Sequence, residues 1–264
     1  MTVPGRKRRQ GTELLCERVF RPLAHLVVLA LAPLRVPPPA VVLAAGAVGL
    51  AGAVAIGRGE LLAAALLLQG KTVLDNADGQ LARLTNRVTP LGRYLDSESD
   101  LVVDAALCAA LGYATGRPLL AAAAFVALTL VLGVNFNLER LYRRERGEPA
   151  DPMPAADGFA GVLAAVYRLV YAPQDRLVEW FCERRLRGAD ADARLAYHDA
   201  ATVSVLANLG LSTQMAALGA CLVAGRPALY LWLALGCAAA LVPLALRREL
   251  RLRRTPARPE PAPV

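Results

Sequence analysis

Aromatic residues make up only 5% of this 264-residue chain, histidine occurs twice, and none of the five cysteines sits in a C-x-x-C or Cys/His pattern. Each scarcity closes a route. Without ligand spacing, Cys16, Cys108, Cys182, Cys221 and Cys237 imply neither a zinc site nor a disulfide framework. In apolar helices such thiols behave as small hydrophobes. His25 and His198 stand apart from every other candidate group, so histidine chemistry is not the starting point. The N-terminus is basic, but Glu13, Glu17 and Arg18 follow it and no small-residue cleavage site precedes the apolar run, so a cleaved signal peptide is not expected. There is no internal repeat and no sign of a second domain. What the chain has in abundance is Ala, Leu and Val: 56% of it is hydrophobic, with a mean hydropathy of +0.40. These residues fall in repeated apolar runs of about 20, long enough to cross a bilayer.

The net charge of +8 is concentrated. Basic residues crowd at 7–9 with Arg18 and Arg21, at 140–146 and at 247–254. Such a balance also marks nucleic-acid binders. Here the clusters flank apolar spans, as the positive-inside rule and attraction to anionic lipid predict, so membrane lipids and no nucleic acid are the expected partners.

Residues 12–34 read as an amphipathic interfacial helix, because Pro22 and Pro33 bracket only about 10 apolar residues, too few to span. Spans are predicted over residues 40–56, 60–78, 92–114, 118–138, 202–223 and 229–246. Between the fourth and fifth, residues 140–200 turn polar, with Glu148-Pro149 and Asp151-Pro152 as breakers. Helical periodicity returns over 158–172 and 175–186, where Leu177, Val178, Phe181 and Cys182 are predicted to share a face. The fold expected is therefore all-α and polytopic, with six transmembrane helices and an N-terminal interfacial amphipathic helix. Residues 1–38 form a cytoplasmic N-terminus and 39–247 the six-helix domain, with a cytoplasmic helical insertion over about 145–199; 248–264 form a basic, Pro-rich, disordered tail. The short loops at Arg58, Arg117 and Arg226 carry one arginine each, so both termini and the polar segments are expected on the cytoplasmic side of the membrane.

One polar stretch stands out. Residues 75–100 read DNADGQLARLTNRVTPLGRYLDSESD. A charged side chain at a helix centre costs roughly 2.5–3.5 kcal/mol on insertion scales, so four aspartates need a reason. Taken as helix, Asp75, Asp78 and Ala82 share a face, with Gly79 and Arg83 on the adjacent row. Gly92, Asp96 and Asp100 repeat every four residues, and Asp104 continues that row with some drift. The short connection over 84–91 makes the two helices antiparallel neighbours whose acidic faces meet. Two hard cations held there suit a diphosphate. Gly79 and Gly92 let backbone approach a ligand closely, Arg83 offers planar donors to phosphate, and one carboxylate remains as general base.

Asp75, Asp78, Gly79, Ala82, Arg83, Gly92, Asp96 and Asp100 follow the pattern D-x2-D-G-x2-A-R-x8-G-x3-D-x3-D. This resembles the signature of the CDP-alcohol phosphotransferases, also called the CDP-alcohol phosphatidyltransferase family. The resemblance is motif-level over about 73–104 and topological elsewhere. It implies attack of an alcohol hydroxyl on the β-phosphorus of a CDP-linked donor, with release of CMP. It further implies two Mg2+ or Mn2+ ions, the first on Asp75, Asp78 and Asp96 and the second on Asp78, Asp96 and Asp100. Asp100 would be the base, Gly79, Arg83, Thr89 and Gly92 would meet the nucleotide diphosphate, and the protein would be a homodimer.

Two departures bear on substrates. Relatives often have a polar residue where the first span begins, whereas this chain has Pro37-Pro38-Pro39-Ala40-Val41-Val42, and the stretch between spans four and five is long. The expected reaction is transfer of a phosphatidyl group from CDP-diacylglycerol to a small alcohol acceptor, with a lean toward a phosphorylated polyol such as inositol phosphate or glycerol 3-phosphate. That lean rests on Arg140, Arg143 and Arg144, which also fit ordinary topology charge. The alternatives are a CDP-choline or CDP-ethanolamine donor with diacylglycerol as acceptor, and a non-catalytic membrane protein that carries divalent cations.

Overall fold

Proline and glycine punctuate the chain. Pro38, Pro90, Pro118 and Pro227 stand in the first turns of helices, where the missing N–H has no partner to lose. Gly59 and Gly116 take up the left-handed backbone that closes the preceding helix or its turn. The computed structural model describes residues 11, 13–148 and 157–254. The basic residues 7–9, the breakers at Pro149 and Pro152, and the proline-rich tail from 255 lie outside them.

The described residues form helices. A π-helical turn, Cys16–Phe20, runs into α1, Arg21–Leu31. Then come α2, Pro38–Gly57, α3, Leu61–Leu84, α4, Pro90–Thr115, and α5, Pro118–Glu145. The region after α5 folds as α6, Gly158–Val170, α7, Ala172–Arg185, and α8, Ala191–Tyr197. Last are α9, Ala200–Ala207, α10, Leu211–Val223, α11, Pro227–Ala239, and α12, Leu241–Arg254.

Among the described residues, four stretches are long and apolar enough to cross a membrane: Pro38–Gly57, Pro118–Glu145, Ala191–Val223 and Pro227–Arg254. Helices α3 and α4 are as long, but they carry the aspartate motif. Leu43, Val54, Leu66, Val126, Trp232 and Val242 point outward on these helices, an apolar exterior suited to lipid. Inside, Leu68, Leu107, Leu111, Leu218 and Leu231 form the main core. Helix α1 buries Ala24 and Val28 against Ala77 and Leu81 of α3, while Leu23, Leu26 and Leu29 remain exposed on its other side.

Several expectations change. Helices α3 and α4 are not packed directly on each other along their length; α2 packs along both. The cause is a glycine row on α2. A Cβ at Gly49 would lie 2.7 Å from Val103 of α4, and one at Gly52 would lie 3.1 Å from Leu68 of α3. The fifth predicted span is interrupted, because α9 ends at Ala207 and Gly210 precedes α10; a Cβ at Gly210 would lie 2.8 Å from the Ala207 carbonyl. Pro243, unable to donate to the ladder, stands in the first turn of α12 just past the break at Ala240. Helix α12 continues through Arg254, so residues 248–254 are helix rather than tail. On α7, Val178 and Cys182 pack inward near Leu138 and Leu141, but Leu177 and Phe181 are exposed. The four do not share one buried face.

Candidate active site

The motif aspartates meet although their helices do not pack together. Ligand atoms of Asp75, Asp78 and Asp96 all lie within 4.8 Å of one another. They open into a cleft of about 400 Å³ that Gly79, Arg83, Asp100 and Asp104 also line. The Asp78 Oδ2 and Asp104 Oδ1 atoms are buried without a hydrogen-bond partner among the described residues. Buried carboxylate oxygens lacking a donor are costly, and a hard divalent cation is the partner their chemistry suits. The residues present therefore fit the metal that the motif implies.

Around this cluster the sequence-predicted residues divide. Gly79 leaves room for Arg83, whose Nη1 would lie 3.3 Å from a Cβ at that position. The arginine lies back over the helix beside the aspartates, one turn on. Thr89 has a different place: its Oγ1 accepts a hydrogen bond from the Gly92 N–H at 3.1 Å and caps α4. Neither Thr89 nor Gly92 is among the residues that line the cleft.

Arg140, Arg143 and Arg144 are likewise absent from its lining. Arg140 pairs with Glu179 at 3.2 Å, and Arg144 pairs with Glu179 at 2.7 Å and with Glu183. Arg143 pairs with Glu148 at 3.3 Å. Two of the three thus tie α5 to α7. Arg140's charge also acts on the phenol of Tyr167, a cleft residue.

Several residues in the site were not predicted. Lys71, one turn before Asp75, reaches the aspartates from within α3. Its Nζ contacts Asp75 at 3.2 Å and also Asp100, and its side chain is only 1% exposed. The α6–α7 segment supplies Tyr167, Tyr171 and Asp175 as a wall of the cleft. Tyr171 donates to the Ser97 carbonyl at 3.3 Å, between Asp96 and Asp100. Tyr167 donates to Asp175 at 3.2 Å, and Asn137 of α5 donates to the same carboxylate at 2.6 Å. The rings of Tyr94 and Tyr167 meet edge-on at 5.8 Å. Burial first, then nearby carboxylates, holds both phenols well above their ordinary pKa, so they stay protonated donors. Sequence offered faint signals for these residues: a lysine four before the first aspartate, and two tyrosines four apart.

The chain is similar to two curated archaeal proteins. It is 42% identical over 81 residues to a bifunctional IPC transferase and DIPP synthase of Thermococcus kodakarensis, covering 29% of this chain and 18% of that protein. It is also 42% identical over 59 residues to an archaetidylinositol phosphate synthase of Aeropyrum pernix, covering 22% of this chain and 30% of that one. The matches thus span less than a third of either relative. No solved structure matches the chain significantly. The sequence profile of the CDP-alcohol phosphatidyltransferase family matches residues 34–183, a segment that contains the aspartate cluster, its cleft wall and α2 behind them, and the chain belongs to that family.

Proposed function

We propose that this protein transfers a phosphatidyl group from CDP-diacylglycerol to a phosphorylated polyol, releasing CMP. One observation carries the reading: Asp75, Asp78 and Asp96 converge within 4.8 Å in a cleft shared with Arg83 and Asp100. Two divalent ions, Mg2+ or Mn2+, would be held by Asp75, Asp78, Asp96 and Asp100 and would supply neutralising charge to the donor's diphosphate. Arg83 binds the diphosphate oxygens over the bare backbone of Gly79. Asp100 takes the proton as the acceptor oxygen forms its bond to the β-phosphorus, and the bond from that phosphorus to the CMP oxygen breaks. Thr89 and Gly92 act on the nucleotide by setting the start of α4.

The acceptor lies toward α6 and α7, where protonated Tyr167 and Tyr171, with Asp175, offer hydrogen bonds to a polyol. Its phosphate is met by Arg140 at the rim, beyond Tyr167, while Arg144 chiefly docks α7 on α5 and Arg143 is held by Glu148. The name of the Aeropyrum pernix relative, a synthase of archaetidylinositol phosphate, supports an inositol phosphate acceptor. With six spans, α2, α3, α4, α5, α9–α10 and α11–α12, the site lies in the cytoplasmic half of the membrane. Salt bridges Arg194–Glu145 at 2.8 Å and Arg185–Glu249 gather the basic ends of α5, α7, α8 and α12 on one side. The positive-inside rule makes that side cytoplasmic, and a homodimer is the assembly proposed.

The test is a substrate panel on purified protein, with CMP release as the readout. Release from CDP-diacylglycerol with inositol phosphate or glycerol 3-phosphate is the expected result. In Arg140→Ala the acceptor KM should rise about 10-fold, in line with loss of a charge-assisted hydrogen bond, with the donor KM little changed. Release instead from CDP-choline with diacylglycerol would reverse the donor assignment, and metal flux without CMP release would make the protein a cation carrier.

A further inference from the structure

The cluster holds a cation of its own. Lys71 is among the most buried side chains in the molecule, and its stem passes α2 where Gly49 makes room: a Cβ there would lie 3.3 Å from Lys71 Cγ. Its ammonium sits between Asp75 on the same helix and Asp100 across the cleft on α4. The tight carboxylate group comprises Asp75, Asp78 and Asp96 and leaves Asp100 out. One Asp100 oxygen is instead taken by Lys71.

We propose that Lys71 is a positioning residue that fixes the Asp100 carboxylate through one oxygen, so that Asp100 does not give both oxygens to metal and keeps one for the acceptor hydroxyl. This rests on the transferase reading above. A carboxylate beside two divalent ions can be drawn into bidentate coordination, and a ligating oxygen is a poor proton acceptor. A buried ammonium on one oxygen fixes the rotamer and leaves the other for the acceptor proton. The arrangement is also balanced in charge. Asp104, buried one turn beyond Asp100 and near Lys71, adds a fifth negative charge, and Lys71 offsets it. Four net negative charges remain for two divalent ions. Lysine suits this place because a compact ammonium can touch two carboxylates at once, whereas a guanidinium is wider and prefers a bidentate fork.

The experiment compares Lys71→Met, Lys71→Gln and Lys71→Arg in the full chain in detergent, reading CMP release and, separately, Mn2+ binding by electron paramagnetic resonance. In Lys71→Met, turnover should fall on the order of 100-fold, the scale of a displaced general base, with donor KM within about two-fold of wild type. Mn2+ binding should persist and tighten, because a competing cation has gone. Lys71→Arg should recover turnover to within roughly 10-fold of wild type, since the charge is kept and its shape is not. Lys71→Gln is the second neutral variant, so a failure of Lys71→Met to fold leaves the comparison intact. Turnover within about three-fold of wild type in both neutral variants would overturn the proposal. So would joint loss of turnover, donor binding and Mn2+ binding, which would make Lys71 a builder of the cluster. A wild-type protein that binds no Mn2+ and releases no CMP would sink the transferase reading itself, an outcome distinct from both.

Discussion

At the scale of single residues, the site is a problem of buried charge. An unsatisfied buried polar atom costs about 1–3 kcal/mol, and more when charged, yet Asp78 Oδ2 and Asp104 Oδ1 are both left in that state. Such a cost is tolerated where a ligand relieves it. Asp100→Asn keeps size and shape but removes the proton acceptor. Its CMP release should fall by about 100-fold or more while nucleotide binding stays near wild type; wild-type turnover in that variant would take the base role from Asp100. Arg83→Ala should weaken donor binding by roughly 10-fold, as loss of a charge-assisted contact does, and an unchanged donor affinity would refute the contact. The four motif aspartates were legible in the sequence because carboxylates in apolar helices are too costly to persist without a ligand, and their spacing repeats the helical turn. Lys71 was not, because one lysine in an apolar run says nothing of which carboxylate lies across the cleft. Arg140, Arg143 and Arg144 were visible as charge, but the glutamates that occupy Arg140 and Arg144 lie on α7, a separate helix far along the chain.

At the scale of elements, the unexpected feature is α2. It contributes no motif residue, yet it spaces the two helices that do. At Gly49 it approaches both Val103 of α4 and the stem of Lys71 on α3. Gly49→Ala would place a methyl 2.7 Å from a β-branched side chain with little freedom to turn. Overpacking of this kind costs about 1–3 kcal/mol, so thermal unfolding in detergent should shift down by several degrees, with turnover reduced as α4 moves. An unshifted midpoint would mean α2 has slack here. Hydropathy made the long helices legible, since apolar runs of span length have one common use. It did not reveal that α2 packs along both α3 and α4, whose acidic faces meet across a cleft as the motif spacing predicts. Periodicity shows which residues share a face and is silent on which neighbour takes it, and for the same reason it misplaces Leu177 and Phe181. Tyr167 and Tyr171 entered the site through the packing of α6 on α4, a long-range contact that two tyrosines four apart mark only faintly.

At the scale of the whole molecule, an apolar exterior and an apolar core enclose an acidic cleft, and the basic ends of α5, α7, α8 and α12 gather on one side. That division suits a phosphatidyltransferase, because a membrane lipid and a polar substrate must reach one cleft. Family, helical class and membrane character were all legible in the sequence; the interruption between α9 and α10 and the helical course of residues 248–254 were not. The central claim is that the aspartate cleft catalyses metal-dependent CMP release. Its most direct measurement is CMP release from CDP-diacylglycerol and a phosphorylated polyol by the purified wild-type chain and by Asp78→Asn. Each is assayed with Mn2+ or Mg2+ and again after chelation. The account predicts release by wild type, loss on chelation, recovery when metal is restored, and no recovery in Asp78→Asn. Release that survives chelation, or that Asp78→Asn supports at the wild-type rate, would contradict it.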